Sequence, residues 1–232
     1  VEEPIEFIGI VDQLLVEEAA IPGDEDIAEI EHDAFDRGNV LIPWDRRFLY
    51  EQLIDDPDEL DRFLDEVLTM EANAELDRGT PLPEVVASLI ERHPAHGPLL
   101  QAFADRWIET VGPAIADSVA LLQRLKSRQV PCYALSNWGR DTYRQAERRY
   151  PFLAWFDGRI ISGFEGVVKP EPEIFQRLLD RFDLRPASTL FIDDSAANIA
   201  AADRLGFHTH HFADPAELEA DLVRRCLLPA PA

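Results

Sequence analysis

The stretch FDRGNVL, residues 35–41, places an aspartate and a glycine between apolar residues. Three more segments with polar residues follow it along the chain: LSN at residues 135–137, KP at 169–170 and FIDDS at 191–195. The polar residues of two of these segments directly follow apolar runs, which predicts that they stand at the ends of buried strands. Residues at the carboxyl ends of parallel strands meet at one crevice of an open α/β sheet. We therefore expect the four segments to converge and to form a phosphoryl-transfer site.

The chain after residue 112 alternates between helical and strand patterns, which predicts an α/β fold with a parallel sheet covered on both faces. A first core strand is expected over residues 27–35, although four polar residues interrupt it and a buried parallel strand is usually continuously apolar. The other strands are expected at 131–135, 159–162, 189–192 and 207–212, and the helices at 116–128, 142–149, 173–182, 196–205 and 216–226.

Between the first two segments the pattern is helical. Apolar residues recur with i, i+3, i+4, i+7 spacing over residues 60–68 and again over residues 82–90. Pro57 suits a helix start, and Arg78-Gly79 suits a helix end. The insertion is therefore predicted to be a small helical domain.

The residue types in the four segments suit attack on phosphorus. Asp36 is the predicted nucleophile, because a carboxylate can form an aspartyl-phosphate that water then hydrolyses. Ser136 and Asn137 can donate hydrogen bonds to phosphoryl oxygens. Lys169 can hold the nucleophile and neutralise charge on the equatorial oxygens. Each segment taken alone also fits an ordinary turn, so the prediction depends on the ordered set.

Asp193 and Asp194 form an adjacent acidic pair. Two carboxylates held this close disfavour double ionisation unless a cation lies beside them. Mg²⁺ prefers a few carboxylates with water and phosphate oxygens. A helix cap would need only one such residue, so the pair favours a metal site, and Mg²⁺ is the expected cofactor.

The chain resembles the haloacid dehalogenase-like (HAD) hydrolase superfamily over residues 27–226. The stretch FDRGNVLIPWDRRFLY, residues 35–50, is similar to a subgroup whose first motif reads FD-x-GNVL followed by WD-x-R. The resemblance implies a Rossmann-like core with an inserted helical cap. It predicts a core at 27–45 and 112–228 and a cap at 46–111, while the acidic N-terminal extension at 1–26 lies outside the family pattern. Residues 1–26 are interpreted as a solvated tail or an extra edge strand.

The resemblance also implies roles for individual residues. The metal ligands would be Asp36, the Gly38 carbonyl, Asp194 directly and Asp193 through water. Asp36, Lys169 and Ser136 would be catalytic. Phosphatases of the superfamily usually carry a second aspartate two residues after the nucleophile, and Gly38 stands there in this chain. We therefore expect a substitute proton donor or slower turnover, since general acid–base catalysis contributes roughly 10²–10⁴-fold.

Substrate choice is expected to lie in the cap and in the segment after the first motif, while Asn137 of the second motif is expected to bind the phosphoryl oxygens of the substrate. The residues there offer an aromatic face, hydrogen-bond donors and a carboxylate: Trp44, Arg46, Asn73, Asp77, Arg78 and Asn137. A core tryptophan and solvated helix charges are the alternative interpretation of these side chains.

Composition excludes several classes of function. A net charge of −23 argues against binding a nucleic-acid backbone, because basic residues supply that attraction. No apolar run is long enough to span a bilayer. The N-terminus lacks the basic and apolar regions of a signal peptide, and two cysteines give no disulfide framework. We expect a cytoplasmic protein with a small phosphorylated substrate, whether it is a monomer or a homodimer.

Three hypotheses follow from the sequence. The first is a Mg²⁺-dependent phosphatase acting on a small phosphorylated metabolite, with a sugar phosphate as one option. The second is a 2-haloacid dehalogenase, in which the superfamily pattern replaces Asp193-Asp194 with uncharged residues and places an aspartate where Asn198 stands. The third is a catalytically silent binding protein, which the polar first strand and the missing second aspartate favour.

Overall fold

The computed structural model describes residues 40–230, together with the backbone of two short N-terminal strands. The strands are β1 (Phe7–Gly9), β2 (Gln13–Val16), β3 (Tyr133–Ser136), β4 (Gly158–Ile161), β5 (Leu190–Asp193) and β6 (His208–His211). The helices are α1 (Arg47–Tyr50), α2 (Pro57–Glu66), α3 (Met70–Asp77), α4 (Leu82–Arg92), α5 (Gly97–Arg106), α6 (Ala116–Ser127), α7 (Arg140–Arg149), α8 (Ser162–Glu165), α9 (Pro172–Phe182), α10 (Ala196–Arg204) and α11 (Pro215–Arg224). Short 3-10 helices lie at Pro94–His96, Trp107–Thr110, Pro151–Trp155 and Pro186–Ser188.

The core is an α/β structure whose strands and helices alternate, as the sequence predicts. Strands β3 and β4 pair in parallel, and so do β5 and β6. All four residues of β5 are buried, which suits a strand covered by helices on both faces. The predicted strands at 131–135, 159–162, 189–192 and 207–212 are each confirmed, with ends displaced by one or two residues.

The N-terminal segment contributes two strands to this core. Strand β1 lies within the apolar run of residues 5–11 and pairs antiparallel with β2. Strand β2 pairs antiparallel with β5, with Gln13 opposite Asp193, so the order of this sheet is β1-β2-β5-β6. Residues 7–9 and 13–16 are thus part of the sheet rather than a solvated tail. The strand predicted at residues 27–35 lies outside the described residues.

The insertion is helical, as predicted. Helix α2 begins at Pro57, and the Asp56 side chain accepts hydrogen bonds from the first backbone N–H groups, which stabilises the helix start. Its buried residues Leu60, Phe63 and Leu64 lie on one face and pack into the core. The alternation of apolar and polar positions therefore decides which side of the helix faces inward.

The chain enters and leaves the helical insertion at adjacent points. Trp44 and Val111 form an isolated antiparallel bridge, and Gly112 N–H donates to the Pro43 carbonyl at 2.8 Å. These two backbone contacts lie near residues 45 and 112, where the sequence predicts the change from core to cap. Of the helices in the described part of the chain, none combines the length and apolarity needed to cross a bilayer.

Candidate active site

Asp193 ends strand β5 with its side chain fully buried. Its Oδ1 accepts hydrogen bonds from Ser195 N–H at 2.7 Å and from Asn198 Nδ2 at 3.2 Å. Its Oδ2 accepts no hydrogen bond from the described residues, and Lys169 Nζ lies 3.5 Å away. Burial raises the pKa of Asp193 well above its usual range, Lys169 opposes that shift and Asp194 adds to it. A buried carboxylate oxygen without a donor is a costly arrangement that a bound cation would relieve.

Lys169 connects two strands that belong to separate hydrogen-bonded sheets. It is 4% exposed, and its Nζ donates to the Leu135 carbonyl of β3 at 2.9 Å while facing Asp193 of β5. A lysine is rarely buried this deeply unless it is paired. The ammonium group therefore stands between the ends of the second and fourth sequence segments, as the sequence predicts.

Asn137 holds the Lys169 loop in place. Its Nδ2 donates to the Lys169 carbonyl at 2.9 Å, and its Oδ1 accepts from Lys169 N–H at 2.8 Å. Both ends of the amide are thus hydrogen-bonded to the backbone of one residue, Lys169. Substrate binding by Asn137 stays a prediction, and the contacts present give it a positioning role. Ser136 is fully buried at the end of β3, next to Asn137.

The predicted metal ligands fall into two groups. Asp193 and Asp194 lie together at the end of β5, with Asp194 partly exposed. Asp36 and Gly38 lie outside the described residues. Among residues 40–230, no group of three His, Cys, Asp or Glu side chains could hold a metal ion, so the predicted site needs Asp36 as its third carboxylate. The donors that are described, two carboxylates with one unbonded buried oxygen, fit a hard cation such as Mg²⁺.

His211 also reaches this edge of the sheet. It is opposite Asp193 in the pairing of β5 with β6, and its Nε2 lies 3.0 Å from the Asp194 carbonyl oxygen. The sequence gives no signal for this contact, because it depends on the register of two strands that are joined through a helix.

A small pocket lies where helix α3 of the helical insertion meets the loop after β3. Its volume is about 60 Å³. It is lined by aromatic, polar and small residues: Trp44, Asn73, Leu76, Asp77, Trp107, Asn137, Trp138, Gly139 and Thr142. Four of these were predicted from the sequence to face the substrate, namely Trp44, Asn73, Asp77 and Asn137. Trp107, Trp138 and Thr142 also line the pocket, and the sequence does not single them out. A tryptophan in an apolar pattern is indistinguishable from a core residue, and a lone threonine carries no signal.

Gly139 allows α3 to approach this closely. A Cβ added at this position would lie 3.2 Å from the Leu76 carbonyl and 3.0 Å from Thr142 Oγ1. Trp44 lines the same pocket, and its Nε1 donates to Thr110 Oγ1 at 3.0 Å. The pocket thus joins residues of the helical insertion to the loop that carries Asn137.

The two arginines predicted to bind substrate lie away from the lining of this pocket. Arg46 donates through Nη1 to the carbonyls of Leu64, at 2.9 Å, and Leu68. Burial lowers the pKa of Arg46. Arg78, at the end of α3, pairs with Glu171 of the core, and this hydrogen bond raises the pKa of Arg78 and lowers that of Glu171. Substrate binding by either arginine stays a prediction, because both guanidinium groups already hold protein groups.

Comparison with known protein families gives one match over most of the chain. A family model described as haloacid dehalogenase-like hydrolase matches residues 18–206. That range includes all four sequence segments and the whole helical insertion.

Curated relatives cover smaller parts of the chain. A sesquiterpene phosphatase, astK of Aspergillus oryzae, is 31% identical over 99 residues, which are 43% of this chain and 50% of that protein. (S)-2-haloacid dehalogenase 1 of a Pseudomonas species is 30% identical over 121 residues, which are 52% of this chain and 51% of that protein. The chain therefore spans about half the length of these two relatives.

Among solved structures, the magnesium complex of the HAD family enzyme bt-2542 from Bacteroides thetaiotaomicron aligns with a TM-score of 0.57. The alignment covers 73% of this chain and 86% of that one at 22% identity. At this identity the likeness shows a shared fold.

Proposed function

The chain belongs to the haloacid dehalogenase-like hydrolase family, and we propose that it is a Mg²⁺-dependent phosphatase acting on a small phosphorylated metabolite. Asp36 would be its nucleophile. The family and the phosphatase among the relatives support a hydrolase of this class. The Mg²⁺ dependence, the substrate class and the identity of the nucleophile are our proposals beyond the family assignment.

The observation that carries the proposal is the environment of Asp193. Among the described residues, its buried Oδ2 has no hydrogen-bond donor, and the one nearby ammonium group, that of Lys169, lies 3.5 Å away. Asp194 follows Asp193 in the chain. One lysine offsets one carboxylate. With Asp194 and Asp36 added, the site would carry excess negative charge, which a dianionic phosphate could not enter without a divalent cation.

In the proposed reaction the Asp36 carboxylate attacks phosphorus. A bond forms between a carboxylate oxygen and phosphorus as the bond from phosphorus to the leaving-group oxygen breaks, and that oxygen takes a proton from water, because Gly38 stands where the family's usual proton donor would be. Water then attacks the phosphorus of the aspartyl-phosphate, the bond from phosphorus to the Asp36 oxygen breaks, and inorganic phosphate leaves as the water's proton passes to solvent, which restores the carboxylate. Lys169 supplies positive charge beside the reacting oxygens. Bound Mg²⁺ would neutralise charge on the phosphoryl oxygens.

A haloacid dehalogenase is the competing hypothesis, since one relative carries that activity in its name. Dehalogenation attacks carbon and needs no metal, so a pair of carboxylates beside the nucleophile would only repel it. Here the pair is present, and Asn198 uses its amide to donate to Asp193. This hydrogen bond fixes Asp193 rather than providing a carboxylate at position 198. We therefore favour phosphoryl transfer.

The test is phosphate release from a panel of small phosphomonoesters, with Mg²⁺ and with a chelator. We expect turnover of at least one ester with Mg²⁺ and none with the chelator. Asp194→Asn should weaken both Mg²⁺ binding, measured by calorimetry, and the rate. Chloride release from 2-chloropropionate without metal would overturn the proposal in favour of dehalogenation. Absence of both activities and of Mg²⁺ binding would favour a silent binding protein.

A further inference from the structure

The peptide between Asp194 and Ser195 takes part in hydrogen bonds on both of its sides. Its N–H, which belongs to Ser195, donates to Asp193 Oδ1 at 2.7 Å. Its carbonyl oxygen, which belongs to Asp194, lies 3.0 Å from Nε2 of His211. A carbonyl oxygen can only accept, so Nε2 carries the proton and donates. Since the N–H and C=O of a trans peptide point in opposite directions, this one peptide connects the His211 ring to the Asp193 carboxylate.

Strand β6 places His211 where it can make this contact. His211 is the last residue of β6 and stands opposite Asp193 in the parallel register with β5. The next residue, Phe212, donates its backbone N–H to the Asp193 carbonyl at 2.8 Å. The backbone on both sides of the His211 ring is therefore fixed against the strand end that carries the acidic pair. The ring reaches the Asp194 carbonyl from a backbone that is already held at this edge of the sheet.

The orientation of this peptide decides which oxygen of Asp193 stays open to a ligand. Oδ1 accepts from Ser195 N–H and, at 3.2 Å, from Asn198 Nδ2. Oδ2 faces Lys169 and accepts no hydrogen bond from the described residues. A rotation of the peptide about its two flanking bonds would turn the Ser195 N–H away from Oδ1 and remove the shorter of these two hydrogen bonds. The hydrogen bond from His211 opposes that rotation, because the same rotation would break it.

On the basis of the proposed Mg²⁺-dependent function, we propose that His211 is a positioning residue for the acidic pair. Its Nε2–H holds the peptide between Asp194 and Ser195 in the orientation that keeps Asp193 Oδ2 available to the cation. Hydrogen bonds in a chain polarise one another, so donation to the carbonyl also strengthens the Ser195 N–H as a donor to the carboxylate. Replacing a residue that orients metal ligands in this way lowers metal affinity by roughly 10–100-fold.

His208 provides a matched control on the same strand. Its Nε2 lies 3.1 Å from the carbonyl oxygen of Ala187, which is in the 3-10 helix Pro186–Ser188 before the start of β5. His208→Leu and His211→Leu therefore each remove one contact between an imidazole and a backbone carbonyl. His211→Gln is the rescue variant, because glutamine carries an N–H donor at its own Nε2. Since His211 is exposed, its replacement opens no cavity in the core.

Hydrogen exchange of the Ser195 backbone amide tests the contact without metal or turnover. The amide is followed by NMR in ¹⁵N-labelled protein. Exchange should be about 3- to 10-fold faster in His211→Leu than in the wild type, the factor expected when one hydrogen bond is lost. The rate should be close to that of the wild type in His211→Gln and in His208→Leu. Equal exchange rates in the wild type and His211→Leu would overturn the proposal.

Calorimetry with Mg²⁺ alone connects the contact to the cation. The Kd for Mg²⁺ should rise about tenfold in His211→Leu and stay within about twofold of the wild type in His211→Gln and His208→Leu. The Mg²⁺ concentration that gives half-maximal phosphate release should rise by the same factor in His211→Leu. The kcat at saturating Mg²⁺ should be unchanged, because His211 acts on the affinity for the cation through the peptide and not on the reacting atoms.

The outcomes separate this inference from the function on which it rests. An equal Kd for Mg²⁺ in the wild type and His211→Leu would overturn the role of His211 and leave the proposed phosphatase intact. Mg²⁺ binding that His211→Leu weakens and His211→Gln restores, without hydrolysis of any ester, would overturn the phosphatase and leave the role of His211 intact. Absence of Mg²⁺ binding by the wild type would overturn both.

Discussion

Replacing Lys169 with methionine tests the electrostatics of the site. The Lys169 and Asp193 side chains are 1% and 0% exposed and 3.5 Å apart. Methionine keeps most of the length of the side chain and removes the charge, so Asp193 would be left buried without its cation. Removing one partner of a buried pair costs about 3–5 kcal/mol. The Leu135 carbonyl also loses its donor, which adds about 1 kcal/mol.

The loss of stability caused by Lys169→Met should increase with pH. Burial already raises the pKa of Asp193, and losing Lys169 removes the group that opposes this shift. A carboxyl group whose pKa is higher in the folded than in the unfolded state is protonated in both states when the pH is below its unfolded pKa. At such a pH it does not lower the free energy of unfolding. As the pH rises from the unfolded pKa through the folded pKa, the group lowers the free energy of unfolding by an increasing amount. Lys169→Met should therefore be more destabilising at pH 8 than at pH 5.

Urea unfolding at the two pH values measures this difference directly. The matched control is Lys126→Met, which removes the other lysine of the chain. Lys126 is paired with Asp157 at a half-exposed position, where an ion pair contributes about 0–1 kcal/mol. If Lys169→Met costs no more than Lys126→Met at pH 8, the buried pair described here does not exist in solution.

Two further predictions concern the surface charge and the cap. With a net charge of −23, the melting temperature should rise between 0.1 and 1 M KCl, because the Debye length falls from about 10 to about 3 Å; a flat or falling curve would show that the charges are already well dispersed. Arg46→Met should lower the free energy of unfolding by about 1.5–3 kcal/mol, the contribution of hydrogen bonds to a charged group, since its guanidinium holds two backbone carbonyls. Arg47→Met, which breaks a half-exposed pair with Asp61, should cost under about 1 kcal/mol. An unchanged stability with a raised KM for Arg46→Met would instead support the substrate-binding role predicted from the sequence.

Much of the core could be predicted because its signals are local. The run LFID at Leu190–Asp193 is apolar and ends in an acid, so the strand and its functional end are both visible in the sequence. Helix α2 is equally visible, since Pro57 marks its start and its apolar residues fall on one face. Strand β2 was not predicted, because four residues give little periodicity and its pairing with β5 joins distant parts of the chain.

Some features of the candidate site were likewise predictable from the sequence, and others were not. Residue types identified Lys169 and Asp193, and the structure brings them together. Residue types could not show that the Asn137 amide is engaged by the Lys169 backbone, since this needs two loops at a fixed distance. Nor could they show that the Trp107 indole N–H has no hydrogen-bond acceptor among residues 40–230. Hydrogen-bond satisfaction is a property of the folded chain, so sequence patterns cannot report it.

The measurement that tests the central claim most directly is the rate of Mg²⁺-dependent phosphate release for Asp36→Asn beside Asp12→Asn. Both aspartates lie outside the described residues and both come near apolar runs, but only Asp36 is followed by Gly38 and the GNVL sequence. We predict that Asp36→Asn abolishes turnover while the fold, followed by circular dichroism, is intact, and that Asp12→Asn leaves the rate unchanged. Full activity in Asp36→Asn with loss in Asp12→Asn would contradict the account.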